Sequence, residues 1–237
     1  MNSSSTRPRG RPSRIDSPRT LRTALELLDE SGLDALTMRR LADAMEVRAG
    51  ALYRYYATKQ ELLTAMSEQM MEGVTEKVLA TDGAPWHERV ADFARALRAA
   101  LLNHRDGARV FAGTHPTGGN VLGFSDALVG VLLDAGFPAD DAARTLYTLS
   151  NFTVGHTLEE QAARSEENGG PGAAGLLRSA VTDGSYPHLH TAVTALASTD
   201  FDRHFEYGLG LIIEGLKARR PALPAGSGQS KADVAIS

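Results

Sequence analysis

Apolar positions recur every three or four residues along most of this chain, and no stretch keeps the strict alternation of a half-buried strand. The pattern predicts an all-α protein. Leu21, Ala24, Leu25 and Leu28 fall on one helical face, with Ser17 as N-cap, Pro18 in the first turn and Gly32 as the stop. Thr37 then caps a second helix whose Leu41, Ala42 and Met45 point inward. Val47 plugs the following turn, and Ala49 to Tyr55 form a third helix. Thr58-Lys59-Gln60-Glu61 has the form of a capping box, opening a fourth helix with Leu62, Leu63, Met66 and Met70 in one stripe. From Trp86 the periodicity predicts helices over 86–103, 107–112, 120–135, 139–165, 173–181, 188–197 and 201–219. Breaks fall at Pro116, Gly118-Gly119, Gly136 and Pro138.

The ends are built differently. Residues 1–14 are rich in Ser, Pro and Arg with almost nothing to bury, which predicts a disordered basic arm. Pro, Gly, Ser and Ala dominate 220–237, predicting a disordered tail, and Asn168 to Gly175 reads as a loop. Between these ends the reading is a three-helix head over 15–60 and a larger helical domain over 61–219. With no cysteine in the chain, disulfides, thiolate zinc sites and cysteine nucleophiles are excluded. No apolar run approaches the ~18 residues of a membrane span, and none follows the polar start as a secretory signal requires. The expectation is a cytoplasmic protein without a membrane partner.

Charge changes the picture once it is divided along the chain. Residues 1–60 hold eleven Lys/Arg against seven Asp/Glu, so the head carries +4 and the rest −8 of the overall −4. A basic head on an acidic body suits a nucleic-acid-binding module joined to one of another kind. The stretch Thr37 to Lys59 makes this specific. Two short helices joined by a turn carry Ala49-Gly50-Ala51, small enough for backbone to approach base edges. Tyr53, Tyr55 and Lys59 follow, able to reach phosphates. Thr37, Arg39 and Arg48 complete the expected DNA-binding set, while Leu52 and Tyr56 pack inward. Ahead of them, Arg9-Gly10-Arg11-Pro12 has the core of an AT-hook, whose Arg9 and Arg11 can lie in a narrow A·T minor groove.

This head resembles the helix-turn-helix of the TetR family of bacterial transcriptional regulators, and the resemblance continues through the body. Arg105-Asp106-Gly107-Ala108-Arg109-Val110, Gly113-Thr114, Pro116, Phe152-Thr153 and Leu158-Glu159-Glu160-Gln161 are similar to the corresponding segments of tetracycline repressors. The implied protein is a homodimeric repressor that binds double-stranded, palindromic operator DNA and is released by a small-molecule inducer. By the same resemblance, the helices over 139–165 and 201–219 pair with their copies.

The departures redefine the inducer. Phe111 stands where tetracycline repressors place a magnesium-binding histidine. Thr75, Phe93 and Leu97 replace a drug-contacting histidine, asparagine and phenylalanine, Leu128 replaces a glutamine, and Thr114 and Glu159 keep their identity. With Asn151 as a further polar anchor, these eight residues form the expected ligand site. It suits a largely apolar inducer, such as an antibiotic or natural product, bound without metal or other cofactor, with an efflux gene as the target. Glu159 is expected to face inward and Glu160 outward, since only one of two neighbours can face the interior. Glu46 occupies a turn position that is often glycine in the family. His188, His190 and His204 read as solvated residues, and no nucleophile elbow, phosphate loop or dinucleotide fingerprint suggests an enzyme. The rivals are a helical ligand-binding or catalytic protein with a vestigial head, and a constitutive DNA-organising protein, which would lack a cavity.

Deleting residues 1–14 is predicted to lower affinity for operators with A·T-rich flanks while leaving the melting temperature unchanged. Equal affinity of full-length and truncated protein on such flanks, measured by fluorescence anisotropy, would reduce the arm to a solubilising tail.

Overall fold

The computed structural model describes residues 16–80, 83–166, 172–181 and 185–220, and the arm with Arg9 and Arg11 lies outside them, as does the tail from Pro221. Among the described residues there are twelve helices and no strand. The head comprises α1 (Ser17–Ser31), α2 (Met38–Ala44) and α3 (Ala49–Leu52), and α4 (Lys59–Met70) leads out of it. The body contains α5 (Val74–Leu79), α6 (Trp86–Leu102), α7 (Gly107–Ala112), α8 (Gly119–Asp134) and the long α9 (Ala139–Glu166). α10 (Ala173–Val181), α11 (Pro187–Leu196) and α12 (Phe201–Arg219) complete it.

Local chemistry explains where the elements start and stop, and corrects some expectations. Asp16, not Ser17, caps α1: its backbone is extended and its carboxylate accepts the Arg19 N–H at 2.7 Å. Ser17 is already helical, and its hydroxyl is 2.9 Å from that of Tyr56. Gly32 ends the helix at φ 79. Thr37 and Thr58 cap α2 and α4 as expected, through the N–H groups of Arg40 and Glu61. The capping box is offset, because Glu61 returns to the N–H of Ala57 rather than of Thr58. α3 closes at Leu52, where the Tyr55 and Tyr56 N–H groups both turn back to its carbonyl. α5 was hidden in the sequence by Gly73, whose left-handed φ of 70 restarts the helix after α4.

Two hydrophobic cores result. Leu28, Leu36, Leu41, Met45, Leu52, Leu62 and Met66 fill the head, each about 1.5–3 kcal/mol of burial. Val90, Phe93, Leu101, Leu132 and Phe205 fill the body. The body also buries an ion pair. Arg98 on α6 donates through Nε and Nη2 to Glu160 on α9 at 2.8–3.0 Å, and through Nη2 to Asp202 on α12 at 2.6 Å. Its guanidinium lies 4.9 Å from the Phe205 ring centre. Glu160 is 0% exposed and also accepts from Arg164 on α9, so Arg98 with Glu160 and Asp202 staples three helices, and each charge keeps a second partner if one is removed.

At the helix-turn-helix corner, Glu46 has φ 55. The left-handed penalty of about 1–2 kcal/mol exceeds the roughly 0.4–1 kcal/mol that glycine costs through the unfolded chain. Glu46→Gly is therefore predicted to stabilise the protein by about 0.5–1 kcal/mol, seen as a higher denaturant midpoint; a lower midpoint would contradict this strain.

Candidate nucleic-acid interface and ligand cavity

Most of the residues expected to contact DNA are accessible on the head. Arg39 on α2 and Arg48 ahead of α3 are exposed, Ala49 and Ala51 are partly covered, and Tyr53 and Tyr55 are each 50% exposed. Nothing in the fold requires glycine at position 50, where a Cβ would meet no atom within 4 Å. The small side chain there leaves backbone open to an outside surface. Arg54, between the two tyrosines, is exposed on the same segment and was missed in the sequence reading. Thr37 is exposed, but its hydroxyl caps α2. Lys59 is partly buried, its ammonium donating to the Leu33 carbonyl at 3.2 Å.

Head and body meet along α1, α4 and α7. The Leu33 N–H donates to Asp106 at 2.8 Å, the Arg105 N–H to Asp29 at 2.9 Å, and Arg109 to Asp34 at 3.0 Å. Arg109 holds the Asp34 carboxyl below its usual range, chiefly by that hydrogen bond. Gly107 lets α7 start tightly, since a Cβ would lie 2.3 Å from the Leu101 carbonyl oxygen. Val110 on α7 then enters the head's core.

A cavity of about 580 Å³ opens in the body between α4's end, α6, α7, α8 and α9. Leu97, Phe111, Thr114 and Asn151 of the expected ligand set line it. Phe93 and Leu128 do not: both are buried in the core, with Phe93 edge-on to Phe124, a wall residue, at 5.0 Å. Thr75 sits on α5, one turn beyond the wall residue Met71. Glu159 is exposed and lines a smaller hollow of about 280 Å³ beside Leu177, Leu196 and Phe201. The expected orientation is thus reversed, with Glu160 inside. The physical reason is the α9 stripe Leu149, Thr153, Thr157 and Glu160, which faces inward and meets Arg98. Sequence reasoning missed the wall residues Leu146, Ser150, Val154 and Leu158, which recur at helical spacing on α9. That spacing was the available signal.

Comparison with known proteins agrees along the chain. Residues 21–66 match the bacterial regulatory proteins of the tetR family, and residues 79–220 the tetracyclin repressor-like C-terminal domain. The chain belongs to the TetR family. The tetracycline repressor protein class A from transposon 1721 of Escherichia coli is 40% identical over 216 residues, 90% of this chain and 95% of that protein. The solved structure of a possible TetR family regulator from Streptomyces coelicolor A3(2) is 63% identical, with TM-score 0.80, covering 86% of this chain and 99% of that one. ActR of Streptomyces coelicolor, solved in complex with actinorhodin, is 33% identical with TM-score 0.75, covering 86% and 97%. This is therefore a TetR-family transcriptional repressor, with a helix-turn-helix head and a ligand-binding domain. No helix among its described residues is long and apolar enough to cross a membrane.

Among the described residues the cavity wall carries no carboxylate and Phe111 offers no donor; His115, Asn151 and the hydroxyls of Thr114, Ser125, Tyr147 and Ser150 are a weak match to the near-octahedral oxygen set Mg²⁺ demands.

Lys59 yields a discriminating prediction. Lys59→Ala should weaken binding to all duplexes alike and lower the salt slope by about one. An unchanged slope would show that the ammonium is spent on the Leu33 carbonyl.

Proposed function

We propose that two copies of this chain form a cytoplasmic homodimer that binds a palindromic operator and releases it when a largely apolar aromatic molecule fills the body cavity. The observation that carries the reading is the wall's composition. Leu97, Phe111, Phe124, Val121 and Leu158 supply apolar and aromatic surface, Ser150 and Asn151 a polar edge, and among the described residues no acidic side chain, lysine or arginine lines it. Such a wall suits a polycyclic antibiotic or natural product with few polar groups, burial providing most of the affinity. The actinorhodin complex of ActR supports that ligand class. A gene for exporting the ligand is the natural target.

On the DNA side, Arg39, Arg48, Tyr53, Tyr55 and Lys59 contact the duplex around the close approach at Ala49-Gly50-Ala51, and Arg9 and Arg11 extend the contact into the minor groove. A vestigial head gives no reason for this exposed cationic and aromatic face. Dimerisation uses α9 and α12, on which Tyr147, Tyr207 and Leu211 are 61–71% exposed. It sets two recognition segments about one DNA turn apart.

The test is anisotropy on a duplex carrying the DNA that flanks its own gene. Binding should weaken steeply with salt, by about −0.9 in log–log slope per phosphate neutralised. Saturating actinorhodin should weaken it roughly 5–150-fold, with or without EDTA. Salt-insensitive binding would contradict the DNA reading. A response abolished by EDTA would contradict the metal-free cavity.

A further inference from the structure

α8 has no cap of its own. Its N-cap position is Gly118, which has no side chain to accept from the helix's first N–H groups. The acceptor comes from fifty residues earlier. Glu68 on α4 takes the Gly118 N–H at 2.8 Å through Oε1, and the Asn120 and Val121 N–H groups at 3.1 and 3.4 Å through Oε2. Asn120 answers by donating its side-chain amide to the Glu68 carbonyl at 2.9 Å. A negative carboxylate at the positive end of a helix also gains from its dipole. Gly118 is what admits it: a Cβ there would lie 2.5 Å from Glu68 Cδ.

The joint lies between the two functional parts. Leu62, Met66 and Met70, on the same helix as Glu68, are in the head's core. Val121, Leu122 and Ser125, on the first turns of α8, line the cavity. Ser67 adds a parallel tie, its hydroxyl 2.8 Å from that of Thr114 on the same wall.

We propose that Glu68 is a positioning residue for the repressor's switch: by capping α8 from α4, it makes the cavity wall and the DNA-binding head move together. Displacement of α8's first turn pulls on Glu68 and thereby on the helix that carries the head. Conversely, a head fixed on DNA holds α4 and steadies α8. The inference rests on the ligand-responsive reading for its purpose, but its test requires no ligand.

A merely structural cap and a coupling cap are separated by moving the cap onto α8 itself. Glu68→Ala removes the acceptor, and exchange of the first-turn amides of α8 should accelerate roughly fivefold to tenfold, as for a lost N-cap. Adding Gly118→Ser supplies a local cap, since position 118 already has extended backbone, φ −83 and ψ 176. The atoms its Cβ would strike are those deleted from Glu68. The double variant should recover the melting temperature with the carboxylate link from α4 to α8 cut, the Asn120 amide still reaching the residue-68 carbonyl. Hydrogen exchange of a peptide spanning 117–122 is then followed with and without the duplex from the protein's own flanking DNA. In the wild type, DNA should slow exchange there; in the double variant, the slowing should be several-fold smaller. A wild-type peptide indifferent to DNA, or a double variant that responds like wild type, overturns the proposal. Failure of actinorhodin to release DNA would instead count against the ligand class and leave this result standing.

Discussion

One helix has to satisfy two cores at once. Leu62, Met66 and Met70 of α4 close the head, while Met71, immediately after it, belongs to the body. Gln60 on the same helix donates to the Gly113 carbonyl at 2.6 Å, and Ser67 pairs with Thr114. α4 is therefore packed in one domain and hydrogen-bonded to the wall of a cavity in the other. Packed interiors transmit strain rather than absorb it, which is the physical ground for placing the proposed coupling on this helix.

The Arg98–Glu160 pair holds α6 against α9, Asp202 ties α12 to the same guanidinium, and Gln161 accepts the Ala108 N–H at 3.0 Å, tying α9 to α7. Across the cavity, the 111–125 segment, which includes Gly113, Gly118 and Gly119, is bonded to α4 at Gly113 and Gly118 and packed against α5, α6 and α9. At the seam the charges run against the balance of each domain: Asp29 and Asp34 of the head accept from the Arg105 N–H and from Arg109 of the body, and Asp106 of the body accepts from the Leu33 N–H.

Nearly all helix boundaries were legible because amphipathic periodicity and capping chemistry are local. The exceptions have local causes too. Ser17 looked like the N-cap because it precedes Pro18, but Asp16 has the extended backbone a cap needs. The candidate cavity was only half legible. Leu97, Phe111, Thr114 and Asn151 line the cavity, whereas Phe93 and Leu128 are hydrophobic residues that the core claimed. Glu159 and Glu160 could not be ordered from similarity alone, since what decides between them is Arg98, sixty-two positions away from Glu160. Glu68 was invisible for the same reason: a glutamate on a helix reads as solvated until a bare glycine N-cap is brought to it.

In the proposed switch, cavity and DNA face share one equilibrium. Linkage then requires ligand and operator to weaken each other by the same factor. Titrating actinorhodin calorimetrically into the free protein and into its operator complex measures that factor from the cavity's side. The account predicts a loss of ligand affinity on the complex equal to the loss of operator affinity caused by the ligand. Equal ligand affinity for free and DNA-bound protein would contradict it.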